Sequence, residues 1–229
     1  MTSGRPRGPL RAVLFDLDGT LLDRRATFRR HLELQLGRHP DMFDREQAPR
    51  YVRRLLAMDE NGTLDRAAFF DLAEADFGLA PGSAATLAAD FERWFPEECV
   101  PLPGIAETLP ALRELGLALG LITNGRSLIQ RRKLRGLGLE ASFDTVVISE
   151  ELGVRKPDAR IFLHALERLD VEAAQAAYVG DNPAPDIAGA RGAGLKAVWR
   201  RDDFWPEPTD ADHVIDDLTE IPPWVLGLA

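Results

Sequence analysis

Residues 13–23 read VLFDLDGTLLD, and in this stretch two carboxylates stand at the end of an apolar run. The apolar part, residues 12–15, has the composition of a strand that is buried on both faces of a sheet. Asp16 and Asp18 follow it, and Gly19 comes directly after them. Because two carboxylates so close repel each other, a strand end with only a structural role would more easily carry one of them or none. The pair therefore indicates that another group shares their charge.

Short apolar runs recur along the rest of the chain and alternate with stretches of helical periodicity. The runs occupy residues 12–15, 117–122, 145–148, 177–179, 197–199 and 213–215. One of the helical stretches carries Ile105, Leu109 and Leu112 on one face and ends at Gly116. Alternation of this kind is typical of a parallel sheet covered by helices on both faces. The sequence therefore predicts an α/β fold with a doubly wound parallel sheet.

Residues 24–103 interrupt this alternation, because they show several helical patterns with no convincing strand between them. We expect this segment to be a helical cap domain inserted after the first strand, with His31 and Trp94 among the residues that could contact a substrate. The predicted divisions are a flexible arm at residues 1–11, a catalytic core formed by residues 12–23 and 104–229, and the cap at residues 24–103.

The composition limits the classes of protein to which the chain can belong. Its 229 residues include 28 Lys and Arg against 37 Asp and Glu, for a net charge of -9, which disfavours a nucleic-acid-binding surface. Cys99 is the only cysteine, so neither an internal disulfide nor a thiolate metal cluster can form. No apolar run approaches the roughly 18 residues that a membrane-spanning helix needs, and the first residues lack the apolar region of a signal peptide. We expect a cytoplasmic monomer or homodimer that binds neither nucleic acid nor a membrane.

Polar residues follow four of the predicted strands, and in a doubly wound sheet the carboxyl ends of the strands gather the ligand-binding loops at one edge. They are Asp16 and Asp18 after the first strand, Thr123, Asn124 and Gly125 at the second, Lys156 in the loop after the third, and Asp181 and Asp186 after the fourth. Each of them has an ordinary structural explanation when taken alone, such as a turn or a helix cap. Their convergence at one edge instead predicts a single site.

Four carboxylates, a hydroxyl and an amine in one place are the groups that magnesium-assisted phosphoryl transfer requires. Mg2+ prefers oxygen ligands and keeps several waters, so one or two carboxylates and a substrate phosphate suffice. Such an ion would also cancel the repulsion between Asp16 and Asp18. One carboxylate can then attack phosphorus as a nucleophile, while a second, two residues away in an extended chain, serves as general acid and base.

Four motifs in order, DLDGTLLD, LITNG, GVRKPD and GDNPAPD, make the chain resemble the haloacid dehalogenase-like hydrolase superfamily, in the branch whose helical cap follows the first motif. The resemblance covers essentially the whole chain except the arm. It implies a phosphatase with an aspartyl-phosphate intermediate, in which Asp16 is the nucleophile and Asp18 the general acid and base. Thr123 would then donate a hydrogen bond to the phosphoryl oxygens.

The same resemblance assigns roles to the remaining residues of the predicted site. Lys156 would hold the nucleophile and the developing negative charge. Asn124 and Gly125 would donate backbone N–H groups to the phosphoryl oxygens. The Mg2+ ligands would be Asp16, the backbone carbonyl of Asp18, Asp181, and Asp186 directly or through a water.

Three other functions stay open at this point. A phosphomutase shares the first half-reaction, and a capped fold can also serve for binding alone. The dehalogenases of the superfamily typically carry tyrosine where this chain has Asp18, which argues against that activity. The core motifs look similar to those of pyrimidine 5'-nucleotidases, sialic-acid 9-phosphatases and phosphoglycolate phosphatases, which makes a nucleoside monophosphate one candidate substrate. Pro185 departs from the pattern, because relatives often carry asparagine directly before the last aspartate.

Overall fold

The computed structural model describes residues 10–59 and 66–228 of the chain. It contains two compact units, one made of Met1–Leu22 with Pro101–Ala229 and the other of Asp23–Val100. Most of the predicted arm lies outside the described residues. Its last part differs from the prediction, because Leu10 is fully buried in the core of the first unit. The chain is therefore anchored before the first strand begins.

The first unit is built on a sheet of parallel strands. Within the described residues these are β1 (Ala12–Phe15), β2 (Ala118–Thr123), β3 (Thr145–Ile148), β4 (Ala176–Gly180), β5 (Lys196–Arg200) and β6 (His213–Ile215). Their order across the sheet is β3-β2-β1-β4-β5-β6. The chain thus winds outward from β1 to one side and then returns to its other side with β4. The predicted doubly wound parallel sheet is confirmed, and its topological switch point lies between β1 and β4.

Helices alternate with these strands and also make up the second unit. In chain order the α-helices of the described residues are α1 (Arg24–Arg38), α2 (Gln47–Met58), α3 (Arg66–Phe77), α4 (Ser83–Trp94), α5 (Ile105–Glu114), α6 (Ser127–Gly136), α7 (Ser149–Leu152), α8 (Ala159–Leu169), α9 (Gly189–Gly192) and α10 (Ile221–Gly227). A π-helix over Pro183–Ala188 follows β4. Among the helices described, none combines the length and the apolar composition needed to cross a bilayer.

Both faces of the sheet are buried, as the continuous apolar runs predict. Val13 and Phe15 of β1 belong to the apolar cluster on one face, together with residues of α5 and α10. Leu14, between them, belongs to the cluster on the other face, with Phe162 of α8. Because side chains alternate along a strand, a sheet covered on both sides needs apolar residues at every position of β1. The polar residues are therefore left to the strand ends.

The second unit is a helical bundle with its own apolar core. Helices α1 to α4 bury an aromatic cluster that includes Phe28, Tyr51, Phe69 and Phe70. Phe28 packs edge-on or tilted against its aromatic neighbours, a geometry that ring quadrupoles favour. Burial of this size gives the segment a hydrophobic core that does not depend on the sheet.

A buried polar network lies at one end of this bundle. His31 is fully buried, and its Nδ1 lies 2.6 Å from Glu98 Oε2. Arg38 donates from Nε and Nη2 to the two oxygens of Asp90, at 2.7 Å each, and from Nη1 to Glu98 Oε1 at 2.6 Å. The suggestion that His31 contacts a substrate is therefore wrong for this structure, because the side chain is enclosed by the unit's own residues.

Candidate active site

Lys156 is the centre of a buried group of charges at the carboxyl ends of the strands. Its Nζ donates to Asp16 Oδ1 at 2.5 Å, to Asp186 Oδ1 at 2.6 Å and to the Tyr178 hydroxyl at 2.8 Å. Asp16 is 6% exposed, Lys156 4% and Asp186 1%. One ammonium thus bridges the residue that follows β1 and a residue of the π-helix after β4. The structure brings together three residues that the sequence assigned to one site.

The burial of these groups perturbs their ionisation. Desolvation raises the pKa of Asp16 from 3.8 to about 7, with Lys156 opposing the rise and Asp186 adding to it. Desolvation disfavours the charged form of Lys156, but the two carboxylates outweigh it and raise the pKa of the ammonium. Burial likewise raises the pKa of Asp181, and the neighbouring Asp186 and Asp16 raise it further. The site holds more negative charge than its lysine can balance, which favours a cation.

Asp16, Asp181 and Asp186 form an acidic triad, each offering one carboxylate oxygen within 4.8 Å of the others. Three buried oxygen ligands of this kind suit Mg2+, which takes hard oxygen donors and fills its remaining positions with water or substrate. The predicted fourth ligand, the carbonyl of Asp18, would come from the loop after β1. The triad can therefore hold a metal ion, and its donors fit magnesium.

Two glycines allow the carboxylates to approach the backbone so closely. A Cβ at Gly19 would lie 2.6 Å from the Asp181 carboxylate, and Gly19 has φ +86°, in the left-handed region that side chains rarely adopt. A Cβ at Gly180 would lie 2.4 Å from Asp186 Cβ. The position of Asp181 thus requires a glycine at position 19.

Asp18 lies beside helix α6 rather than in the acidic triad. Lys133 Nζ donates to Asp18 Oδ1 at 2.7 Å and to Oδ2 at 2.8 Å. Gln130 Nε2 donates to Asp18 Oδ2 at 2.9 Å and to Thr123 Oγ1 at 2.6 Å. The predicted general acid and the predicted phosphate-binding hydroxyl therefore share a hydrogen-bonding partner. The sequence analysis did not identify Gln130 or Lys133, although both occur at helical spacing on the same buried face as Leu134.

Asn124 and Gly125 occupy the turn after β2, where both make hydrogen bonds to neighbouring loops. The Asn124 carboxamide accepts from the backbone N–H of Lys156 at 2.9 Å and donates to its carbonyl at 3.0 Å. The Gly125 N–H donates to Ser149 Oγ at 3.0 Å. The Asn124 side chain thus joins the turn after β2 to the loop that carries Lys156. Donation of backbone N–H groups to a phosphoryl group stays a prediction for both residues.

Two tryptophans fix Asp181 at the end of β4. The indole of Trp199, on β5, donates to the Asp181 carbonyl at 2.6 Å, and the indole of Trp205 donates to Asp181 Oδ2 at 3.0 Å. The hydroxyl of Thr20 approaches Asp181 Oδ1 at 3.4 Å. Neither tryptophan could be assigned to the site from the sequence, because neither belongs to a recognisable motif and Trp205 lies beyond β5 with no regular spacing to indicate its direction.

Asp186 lies inside the π-helix, so it does not cap it. The N-cap is Asn182, whose side chain accepts from the N–H of Ala184. The backbone N–H of Asn182 donates to Asp186 Oδ2 at 3.0 Å, while Asp186 Oδ1 accepts from Lys156. Asn182 is thus the N-cap of this helix, and helix capping does not explain the presence of Asp186. Pro185 contributes no side-chain hydrogen bond there, since proline lacks a polar side chain.

Residues 10–194 match the family model described as haloacid dehalogenase-like hydrolase. The chain belongs to this family. The match includes the strand ends and helices that carry all the residues discussed above except the two tryptophans. The family predicted from the four motifs is confirmed.

The curated relatives of this hydrolase include several phosphatases. It is 36% identical over 220 residues to the glyceraldehyde 3-phosphate phosphatase of Methanopyrus kandleri, covering 90% of this chain and 91% of that protein. It is 43% identical over 159 residues to the phosphoserine phosphatase of Thermus thermophilus, a match that spans 68% of this chain but only 63% of that relative. It is 43% identical over 104 residues to the pyrimidine 5'-nucleotidase YjjG of Escherichia coli, a match that covers 45% of this chain and 46% of that protein. The predicted enzyme class, a phosphatase of this family, is confirmed.

The solved structures similar to this hydrolase include YfnB of Bacillus subtilis, determined with bound magnesium. The two share 26% sequence identity with a TM-score of 0.75, covering 94% of this chain and 98% of that one. The similarity extends over nearly the whole length of both proteins, so it includes both units of the present fold.

Proposed function

We propose that the protein is a magnesium-dependent phosphomonoester hydrolase that acts through an aspartyl-phosphate intermediate on a small phosphorylated metabolite. The observation that carries the proposal is the buried Asp16, held by Lys156 at 2.5 Å and grouped with two further carboxylates. Burial raises the pKa of Asp16 to about 7, and the Lys156 ammonium opposes this rise, which favours the ionised form that attacks phosphorus.

In the first half-reaction an oxygen of Asp16 forms a bond to phosphorus while the bond from phosphorus to the leaving oxygen breaks. Asp18 transfers a proton to that oxygen, which departs as an alcohol. In the second half-reaction Asp18 takes a proton from water as the water oxygen bonds to phosphorus, and the bond between phosphorus and Asp16 breaks. Phosphate leaves, and both aspartates return to their starting states.

Lys156 and the hydroxyl of Thr123 stabilise charge during both steps in this proposal. Lys156 keeps the attacking carboxylate in place, and Thr123, 1% exposed at the end of β2, donates to a phosphoryl oxygen. Asp16, Asp181 and Asp186 would hold Mg2+, with the carbonyl of Asp18, and the bound ion would neutralise phosphoryl charge. Asn124 would fix the loop that delivers Lys156, through its two hydrogen bonds to that residue's backbone.

The substrate we propose is a small sugar or hydroxy-acid phosphate rather than a nucleotide. The match to the glyceraldehyde 3-phosphate phosphatase covers 90% of the chain, so it extends through much of Asp23–Val100, whereas the nucleotidase match covers 45%. Within this proposal Asp23–Val100 is the cap that selects the substrate, and the strand ends supply the reaction. A relative that is similar over both units is the better guide to substrate choice.

Phosphate release from a panel of phosphomonoesters tests the proposal. The panel includes glyceraldehyde 3-phosphate, phosphoserine, p-nitrophenyl phosphate and nucleoside monophosphates, each with Mg2+ and with EDTA. We expect release that requires Mg2+ and disappears in Asp16→Asn, because an amide cannot form the acyl phosphate. Asp71→Asn, which alters an exposed carboxylate of α3, is the matched control and should retain full activity. Retained activity in Asp16→Asn would overturn the nucleophile, and activity in EDTA would overturn the metal dependence.

A further inference from the structure

Helix α6 carries two polar side chains that point at the residue proposed to move protons. We propose that Gln130 and Lys133 are positioning residues that orient the Asp18 side chain for its two proton transfers, to the leaving oxygen from the protonated form and from water to the ionised form. This inference rests on the proposed function, because it assigns a purpose to contacts with the general acid and base of that reaction.

Three hydrogen bonds fix the Asp18 carboxylate from the side of α6. Lys133 reaches both oxygens, at 2.7 and 2.8 Å, and Gln130 reaches one of them at 2.9 Å. The residues that donate them lie 112 and 115 positions away in the sequence. A carboxylate held at both oxygens has little freedom to rotate, so its orientation is set by the helix rather than by its own backbone.

The burial of the two donors indicates that they serve more than the packing of α6. Gln130 is 2% exposed and Lys133 is 8% exposed, on the face that also buries Leu134. Burying an ammonium and a carboxamide costs free energy that an apolar side chain on the same face would not incur. The Asp18 side chain itself is 26% exposed, so water could solvate it without help from α6. The main effect of these contacts is therefore to fix the orientation of the Asp18 side chain, since water could supply its hydrogen bonds.

Gln130 also couples Asp18 to the proposed phosphate-binding residue. Its Nε2 donates to Thr123 Oγ1 at 2.6 Å and approaches the Asn124 carbonyl at 3.3 Å. One carboxamide nitrogen thus contacts the general acid, the phosphate-binding hydroxyl and the turn after β2. The group that would protonate the leaving oxygen and the group that would hold the phosphoryl oxygens are therefore fixed relative to each other.

Leaving-group dependence distinguishes this role from a merely structural one. A misplaced general acid slows the cleavage of esters whose leaving oxygen must be protonated, and it affects activated esters much less. We expect Lys133→Met, which keeps the buried stem, to lower kcat/KM at least about tenfold for the alkyl phosphomonoester that the wild type hydrolyses fastest. For p-nitrophenyl phosphate, whose leaving oxygen is weakly basic, the same change should lower kcat/KM by less than about threefold.

Companion variants control for charge and for folding. Lys133→Arg retains donors at this position and should recover most of the activity on the alkyl ester. Gln130→Met should reproduce the leaving-group pattern of Lys133→Met, and it keeps the inference testable if one variant fails to fold. Arg135→Met alters an exposed cation of the same helix, paired at 3.4 Å with Glu140, and should change neither substrate's kcat/KM. Thermal unfolding of every variant with Mg2+ present verifies that each is folded.

A double-mutant cycle with Asp18→Asn completes the test. If Lys133 acts through Asp18, then Lys133→Met in the Asp18→Asn background costs no further kcat/KM on the alkyl ester. Additive losses, or equal losses on the two substrates, would overturn the positioning role. Failure of the proposed function would be seen differently: the wild type would release no phosphate from any ester, or Asp16→Asn would remain active. Either result would overturn this inference as well.

Discussion

The indole N–H of Trp205 donates to Asp181 Oδ2 at 3.0 Å, so a residue beyond β5 contacts a carboxylate of the acidic triad. Trp205 is half-buried, and its ring packs edge-on against Phe204. A cation bound by the triad would place positive charge beside this indole. The cation would also compete with the indole N–H for Asp181 Oδ2. The tryptophan is therefore situated to respond to metal binding.

Tryptophan fluorescence should change when Mg2+ is added to the metal-free protein, and Trp205→Phe should abolish most of that change. The reason is the direct contact between this indole and a proposed metal ligand. Trp224→Phe is the matched control, since Trp224 stacks on His213 at a ring distance of 5.1 Å and contacts no triad residue in the described structure. A full fluorescence change in Trp205→Phe would contradict this prediction, because another tryptophan would then report the binding of the ion.

Lys156→Met should destabilise the protein in EDTA and abolish phosphate release. The change leaves Asp16 and Asp186 buried without their shared cation, and removing one partner from a buried ion pair costs about 3–5 kcal/mol. Mg2+ should then restore more stability to the variant than it adds to the wild type, because the triad of the variant lacks the ammonium charge. Urea unfolding with EDTA and with Mg2+ measures both effects. An equal gain from Mg2+ in the two proteins would show that the lysine does not share the charge of the triad.

Gly19→Ala should impair metal binding beyond what backbone strain explains. The new Cβ would lie 2.6 Å from the Asp181 carboxylate and would displace it. Gly138→Ala is the matched control, since Gly138 also has a positive φ, +70°, but a Cβ there would meet nothing within 4 Å. Both variants should lose about 1–2 kcal/mol of stability from the left-handed backbone, whereas only Gly19→Ala should weaken Mg2+ binding in calorimetric titration. Equal Mg2+ affinity in the two variants would contradict this prediction.

Asp90→Asn should lower stability at neutral pH and have a smaller effect in acid. Burial opposes ionisation of Asp90, but its hydrogen bonds with Arg38 and the charge of that guanidinium outweigh burial and hold the pKa below the usual 3.8. A depressed folded-state pKa stabilises the fold above pH 3.8, and the contribution is lost as the pH falls through the folded-state value. The urea midpoints of wild type and variant should therefore converge below pH 3.8. A difference that is constant from pH 7 to pH 3 would exclude ionisation of Asp90 as its cause.

The strands and the residues at their ends could be predicted from the sequence because both follow local rules. Apolar runs such as residues 12–15 identify strands buried on both faces, and the doubly wound order then brings Asp16, Lys156 and Asp181 to one edge. The burial of His31 also follows a local rule. This residue occupies the same helical face as Phe28 and Leu32, and this spacing indicates burial, whereas its residue type suggested a contact with substrate.

The contacts that orient the site could not be predicted, because they depend on the rotation of a helix or the path of a loop. The pairing of Lys133 with Asp18 requires α6 to turn one particular face toward the end of β1. Asn124 was expected to act through its backbone, yet its carboxamide pairs with the backbone of Lys156, on a loop whose course no local pattern determines. Side-chain contacts between distant segments depend on how all the elements of the fold pack together, and a local sequence pattern does not contain that information.

The position of β1 between β2 and β4 affects how the protein is made. Among the described strands β1 comes first along the chain, yet one of its edges can pair only after residues 176–180 exist. A ribosome-bound chain that ends before β4 would present β1 as an open, apolar edge, which is prone to pair with other chains. It would also lack Asp181 and Asp186, so the nascent chain cannot form the acidic triad. The proposed site is therefore assembled only after residues 176–186 have been translated, when β4 closes the open side of β1.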